Sequence, residues 1–345
     1  MRRIALGIVI AAVIAVAAAG YYVLRRPSTT SGPAAGAEPP LVSQLPPGAP
    51  FVIYADIAAL RNAEFLAKIA ALVPPPAPDA DYVQFVRDTG FDYTRDLDRV
   101  VVAVIPGAQE ATVWSLAEGR FDRQKIQDYA LRNGKTEERD GQTVYVVGAG
   151  ASGNEVTMRF VSASRIELVS RPRESSPAAG DPNGAGALGE HVSRVSGSPL
   201  FAVVRTDSVP KNVAIGAIRL DQVAEFLQSV HWISVAAMPE GQNLRVIVEG
   251  ECGSAIESGK LEMGLEGFRF VGRAMLSDPR TRRQFTPQGA VALDKLIRQI
   301  EISHDGPNVR MMAVLTPGLL AGLAAPIPNA SPAPNSNPAP RPAPR

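Results

Sequence analysis

Apolar and polar positions divide this chain into four kinds of segment. The first is residues 4 to 24, IALGIVIAAVIAVAAAGYYVL, 21 positions without a charge. A helix of about 20 apolar residues covers the roughly 30 Å of bilayer hydrocarbon. Tyr21 and Tyr22 suit the interface, and Arg25-Arg26 end the run. A cleaved signal peptide is the rival reading, with Arg2-Arg3 as its basic region and Ala17-Ala-Ala19 as an A-x-A site. The run continues through Tyr21-Tyr-Val-Leu24, which an anchor explains and a signal peptide does not. Either reading places the following domain outside the cytoplasm.

The body alternates strand and helix patterns in two similar series. Phe51-Val-Ile-Tyr-Ala55 predicts a strand ending at Asp56, and Leu200-Phe-Ala-Val-Val204 predicts one ending near Asp207. Each leads into a polar turn ending in Asn62 or Asn212. A helix capped by Asn62 would carry Phe65, Leu66, Ile69 and Val73; one capped by Asp221 would carry Val223, Phe226, Leu227 and Val230. A hairpin follows in each series: residues 100–105 with 112–116, and 233–238 with 244–248. VAVIPGAQEATVW aligns without a gap over VAAMPEGQNLRVI, so that Pro106 and Gln109 match Pro239 and Gln242 at an offset of 133. Matched order and register point to an internal duplication.

Further on, Asp122 caps a helix closed by Asn133-Gly134. Strands are expected at 143–147, 156–161, 166–169 and 309–315. Ser254-Ala-Ile-Glu257 is a capping box, and Thr286-Pro287 is a cap followed by an N1 proline. Residues 171–198, rich in Gly, Ser, Ala and Pro, are expected to separate the halves.

The fold class is therefore α+β. It comprises an N-terminal transmembrane helix (1–26), a Pro/Gly/Ser linker (27–44), two similar halves (45–180 and 181–323) with mainly antiparallel sheets, and a disordered Pro/Ala-rich tail (324–345). Seven prolines in residues 27–50 and eight in 326–345 keep those stretches from burying a core.

Composition narrows the function. The chain has 35 Lys+Arg against 34 Asp+Glu. Setting aside the N-terminal segment, linker and tail leaves 29 basic against 33 acidic residues, a mildly acidic body that disfavours nucleic acid. A single cysteine, Cys252, excludes intrachain disulfides and a Cys-based zinc cluster. It has no cation beside it and reads as a buried or half-buried residue rather than a nucleophile.

Candidate motifs point away from catalysis. Gly148-Ala-Gly-Ala-Ser-Gly153 is a literal G-x-G-x-x-G, but a dinucleotide site needs a helix after it, and residues 154–160 alternate like a strand. Gly253 to Leu261 approaches a P-loop with one residue too many and Leu261 in place of the magnesium-holding Ser or Thr. His191, His231 and His304 lie at no metal spacing; His231 reads as a partly buried packing residue and His304 as part of a turn. Arg95-Asp96-Leu-Asp98-Arg99 reads as a solvated rim, Glu137-Glu-Arg-Asp140 as a charge cluster, and Asp56 and Asp207 as turn starters. Arg280-Thr-Arg-Arg283 suits an acidic partner or anionic headgroups. No catalytic, cofactor-binding or metal residues are assigned, and no cofactor is expected.

Three segments carry a resemblance: Leu45-Pro-Pro-Gly-Ala-Pro50 with its strand and Asp56, Phe91-Asp92 with Asp96-Leu-Asp98, and Glu118-Gly-Arg-Phe-Asp122. In these the chain resembles uncharacterised bacterial single-pass membrane-anchored proteins with tandem α+β extracytoplasmic repeats. That group carries no assigned activity, so the resemblance implies an architecture and a location and no site residues. The expected function is binding or scaffolding at the bacterial cell envelope, anchored in the membrane, with an envelope protein as partner and the body in the periplasm or at the cell surface. The alternatives are an envelope enzyme without a recognisable motif and a carrier of an apolar ligand.

Overall fold

The structure is a computed structural model that describes residues 40–46, 49–72, 80–107, 111–139, 141–149, 154–172, 184–208, 214–215, 218–219, 228–279 and 286–324. The apolar run at residues 4–24, Asn212, the helix expected after Asp221, Arg280–Arg283 and the tail from 325 lie outside these residues.

The elements are, in chain order, β1 (Phe51–Asp56), α1 (Ile57–Arg61), α2 (Glu64–Leu72), α3 (Ala80–Thr89), α4 (Tyr93–Asp96), β2 (Leu97–Ile105), β3 (Thr112–Gly119) and α5 (Arg123–Asn133). Next come β4 (Gly134–Arg139), β5 (Gln142–Ala149), β6 (Asn154–Phe160), β7 (Arg165–Pro172), α6 (Gly184–Val195) and β8 (Leu200–Arg205). A small ribbon of β9 (Ala214–Ile215) and β10 (Ile218–Arg219) precedes β11 (Val230–Glu240) and β12 (Asn243–Cys252). The chain continues with α7 (Ala255–Ser277), α8 (Pro287–Gln299), β13 (Glu301–Asp305), β14 (Asn308–Leu315) and α9 (Pro317–Ala324).

Twelve strands form one sheet in the order β13-β14-β12-β11-β8-β1-β2-β3-β7-β6-β5-β4. Its neighbouring strands pair antiparallel throughout. The fold is thus α+β, but the expected separate sheets are one, joined where β1 pairs with β8. Ile53 stands opposite Ala202 in that join. Outward from Ile53 the register runs through Val102, Ser115 and Leu168. Outward from Ala202 it runs through Val235, Val248 and Met311. Val235 and Val248 lie 133 positions after Val102 and Ser115, the offset of the gap-free alignment.

Successive strand residues point to opposite faces, so the core clusters sort by parity. Val52, Val101, Ala103, Trp114, Leu116, Phe201, Val203, Trp232 and Ala236 share one face with Leu41, Leu188, Val192 and Val195. That face is covered by α6 and by a short 3-10 turn at Leu41–Gln44. The intervening residues point the other way. Ala55 meets Ile57 of α1, Met158 and Ile166 meet Ile126 of α5, and Val230 and Cys252 meet Leu261 of α7.

Several expectations are corrected here. The linker was expected to run through residue 44, yet Leu41 is 3% exposed. The Gly/Ser-rich stretch expected as a boundary contains α6, whose Leu188, Val192 and Val195 supply the apolar face its composition hid. Asn62 does not cap α2; it closes α1, and Asp56 caps α1 by accepting from the Ala59 N–H at 2.8 Å. Val230 begins β11 rather than ending a helix. Pro239 lies inside β11, opposite Leu244, beyond the reach of β8, whose pairing stops at Ala237. Its missing N–H therefore costs no ladder bond. The charge cluster at 137–139 is in β4, a sheet edge, where charged side chains discourage pairing with another chain.

Gly134 is not a left-handed helix cap either. Its φ is −161°, extended, and it opens β4. Its role is close approach: a Cβ there would lie 2.0 Å from the Val146 carbonyl oxygen. Gly134→Ala should therefore destabilise the fold by about 3 kcal/mol, the upper part of the overpacking range. Gly197→Ala, with open space around its Cβ, should leave the urea midpoint unchanged; equal midpoints for the two variants would overturn the account.

The histidine expectations also change. His231 is exposed, at the bulge between Val230 and Trp232. The buried histidine is His191 of α6, 4% exposed and stacked on Trp232 with ring centroids 4.5 Å apart. Burial, opposed by the nearby Glu251, lowers its pKa below the ordinary 6.5. The unfolded chain then binds the proton first. Stability is held above pH 6.5 and lost as pH falls below it. The denaturation midpoint should be lower at pH 5.5 than at 7.5, and in His191→Phe that difference should shrink by half or more.

Candidate functional site

Three features of the molecule are candidates: a charged cluster at one end of the sheet, an open depression beside it, and the outer surface of α7.

The charged cluster begins with a register. Asp56 of β1 stands opposite Arg99 of β2, Arg99 opposite Glu118 of β3, and Glu118 opposite Arg165 of β7. Alternating charges at directly opposed positions attract across each strand pair. The ion pairs measure 3.3 Å for Asp56–Arg99, 2.9 Å for Arg99–Glu118 and 2.6 Å for Glu118–Arg165. The Arg165 side chain is 4% exposed. The row occupies the polar continuation of the face that holds Trp114 and Val101. Nearer the edge, Arg159 makes two 2.7 Å hydrogen bonds to Glu167.

A second set lies beside it. Asp96, 7% exposed, accepts from Arg95 Nε at 2.9 Å and from the Asp92 N–H at 3.0 Å. Burial works against its charge, but the bonds from Arg95 and Asp92 outweigh this and hold the carboxyl below its usual range. Asp92 accepts from the Tyr82 hydroxyl at 2.8 Å and from the Thr94 N–H at 2.9 Å. Burial and that hydroxyl bond push the Tyr82 pKa up. Arg61 donates to the carbonyls of Thr94 and Leu97 and lies 3.7 Å from Asp98.

Gly119 lets the two sets meet. Its N–H donates to the Ser164 carbonyl, and the Arg120 N–H donates to Asp96 O at 2.8 Å. A Cβ on Gly119 would lie 2.3 Å from that same oxygen. Asp56, the turn carrying Asp92, Asp96 and Asp98, and Glu118-Gly-Arg120 converge here. The 95–99 segment is a solvated rim at Arg95 and Arg99, as its sequence suggests, but α4 folds Asp96 under Arg95 and Arg120 and buries it. Chemically this cluster is a set of closed ion pairs that fastens loops to strand ends.

The adjoining depression is open, about 510 Å³, and lined by residues including Tyr54, Asp56, Glu64, Ser198, Met238 and Gly241. Asp56 is committed to the Ala59 N–H and to Arg99. Asp207 likewise accepts from Arg205 and Ser208.

The sequence motifs resolve as follows. The glycine-rich segment lies between antiparallel β5 and β6, so a strand follows it where a dinucleotide site needs a helix. Ser254 caps α7 by accepting from the Glu257 N–H at 3.3 Å. The Glu257 carboxylate folds back to Gly253, 2.8 Å from where a Cβ would sit, and so puts negative charge where a P-loop would hold phosphate. His304 is in β13, with Nδ1 2.5 Å from Glu262 of α7. Cys252 is buried, and burial pushes its thiol pKa up. Among the described residues no group of three or more His, Cys, Asp or Glu side chains could hold a metal ion.

The feature missed in the sequence is the outer surface of α7. Its inner face packs Leu261, Leu265 and Leu276, and the Ser258 hydroxyl donates to the Gly306 carbonyl at 2.6 Å. At 100° per residue, Ile256, Met263, Phe270 and Ala274 point the opposite way. Ile256 is 72% exposed, Met263 68% and Phe270 74%. Phe268, Val271 and Met275, each at least half exposed, lie on the side between this strip and the leucines. The signal was available: apolar residues at i, i+7 and i+14 on the side away from the leucines, in a helix whose start was recognised.

No protein-family model matches the chain, and no curated protein sequence does. Among solved structures it is similar to crystal form III of TP0453, at 10% identity over 83% of this chain and 98% of that one, with a TM-score of 0.43. It is similar to crystal form IV of TP0453 at 10% identity over 80% and 93%, with a TM-score of 0.40.

Glu118→Gln should destabilise the protein by about 3 kcal/mol, because breaking a buried pair strands a charge. Combining it with Arg165→Met should recover more than half of that loss. Additive losses in chemical denaturation would show that the pair does not couple.

Proposed function

We propose that the protein is a membrane-anchored extracytoplasmic binding or scaffolding protein of the bacterial cell envelope. The single observation that carries this reading is the outward apolar face of α7, a surface typical of contact with another body. The charged groups at the sheet end support it from the other side. Asp56, Asp96, Glu118, Arg99 and Arg165 are engaged with one another or with backbone. A catalytic carboxylate would instead face an open space with its charge uncommitted.

The anchor in this reading is the 21-residue uncharged run at 4–24, held to the body by a Pro-rich linker. The body is two related halves about a local two-fold axis between β1 and β8. The shared offset of 133 in both hairpin registers supports that relation. Among the described residues no helix is long and apolar enough to cross a membrane, so the anchor rests on the N-terminal run.

The test is topology. A reporter active only after export, fused after residue 323, should be active, and the protein should stay in the membrane pellet after an alkaline carbonate wash. Activity of a reporter that works only in the cytoplasm would reverse the topology. Release by carbonate would favour cleavage.

A further inference from the structure

We infer that the exposed face of α7 lies on the lipid bilayer itself, in the headgroup and acyl boundary of the membrane that holds the N-terminal segment. This rests on the anchored reading above. The geometry is that of an interfacial helix. From Ile256 to Ala274 the strip runs 18 residue steps, about 27 Å at 1.5 Å per residue. It presents Ile256, Met263 and Phe270, with Val271 on one shoulder. Charged side chains flank it: Glu262, Glu266, Arg269 and Arg273 on one side and Lys260 on the other. An apolar face bordered by charges is how a helix lies in a membrane surface. The inner face is already spent on the sheet through Leu261 and Leu265. The helix is therefore held rigidly with its second apolar side outward.

The tether decides between a bilayer and a second copy of the chain: a body already anchored meets the bilayer at a high effective concentration, whereas a second copy must be recruited. Fourteen residues, 27–40, separate Arg26 from the buried Leu41, a length of about 43 Å if extended as polyproline II. The three acidic and three basic residues of α7 balance, so apolar contact rather than headgroup charge would hold it.

The experiment uses the full chain in phosphatidylcholine vesicles. Phe270→Cys and, as control, Lys135→Cys on β4 are labelled with an environment-sensitive fluorophore; native Cys252 is buried. Nitroxide carried near the top of the acyl chains should quench the label at 270 by half or more and leave the label at 135 unchanged. Adding Ile256→Ser and Met263→Ser should cut that quenching at least fivefold, while the protein still floats with the vesicles. Replacing about a third of the lipid by phosphatidylglycerol should change the quenching less than twofold; an absolute need for anionic lipid would overturn the apolar account. Flotation without quenching at 270 would sink the docking and leave the anchor standing. A fluorescence shift at 270 that ignores nitroxide and vanishes when the protein is diluted in lipid would assign the face to a second copy. Failure to float would remove the anchor and the docking together.

Discussion

The pairing of β1 with β8 is the interaction on which the rest of this structure depends. Five residue pairs, from Phe51 with Val204 to Ala55 with Leu200, turn two series of strands into one twelve-stranded sheet. Without them β1 and β8 would each be an edge, with unpaired N–H and C=O groups beside a strongly apolar strand. With them, Val52, Val203 and Phe201 become the centre of the larger core cluster, where Tyr54 stacks on Phe201 at 4.9 Å between ring centroids. The 3-10 turn at Leu41 and the helix α6 close over that centre. Each of these arrives just before one of the two strands, so each series brings its own cover to the shared core.

Away from the centre the same face turns from apolar to ionic. The change follows from what covers it. Near β1 and β8 the face lies under α6 and the 3-10 turn, and apolar residues fill it. Towards β7 and β4 the helices lie on the opposite side, with α5 on Ile166 and Met158. The strand residues on that face include Glu118, Arg165, Arg159 and Glu167, paired across strands rather than packed. Such pairs fix register, since a slip by one residue would send Glu118 and Arg165 to the apolar side of the sheet.

The helix α7 obeys a different rule from the other long helices. Thr286 and Pro287 start α8 as a helix of ordinary amphipathic form, with its apolar side taken up by α7, α9 and β14. On α7 the leucines meet the sheet, and Ile256, Met263 and Phe270 face outward regardless. A second apolar side does not stabilise the isolated fold. It has value where another apolar body lies against it, and that is the physical basis of the reading as a surface-binding protein.

The sequence by itself determined the local elements: β1, β8, both central hairpins, the Asp122, Ser254 and Thr286 caps, and the common offset of 133. These follow from period, capping chemistry and turn residues within a few positions of each other. Tertiary structure decided what depends on distant partners. It joined the halves through β1 and β8, because hydrogen-bonding edges do not specify their partner in sequence. It made Gly119 and Gly134 obligatory, because only the folded chain brings Asp96 and Val146 carbonyls against them. It buried Asp96, Arg165 and His191, residues whose types predict solvent, because each found a partner or a stacking surface across the fold. The outer strip of α7 stands between the two. Its residues could be counted in the sequence, but which apolar side of that helix meets the sheet and which is left to the outside was settled only when Leu261 packed against Val230, Cys252 and Val309.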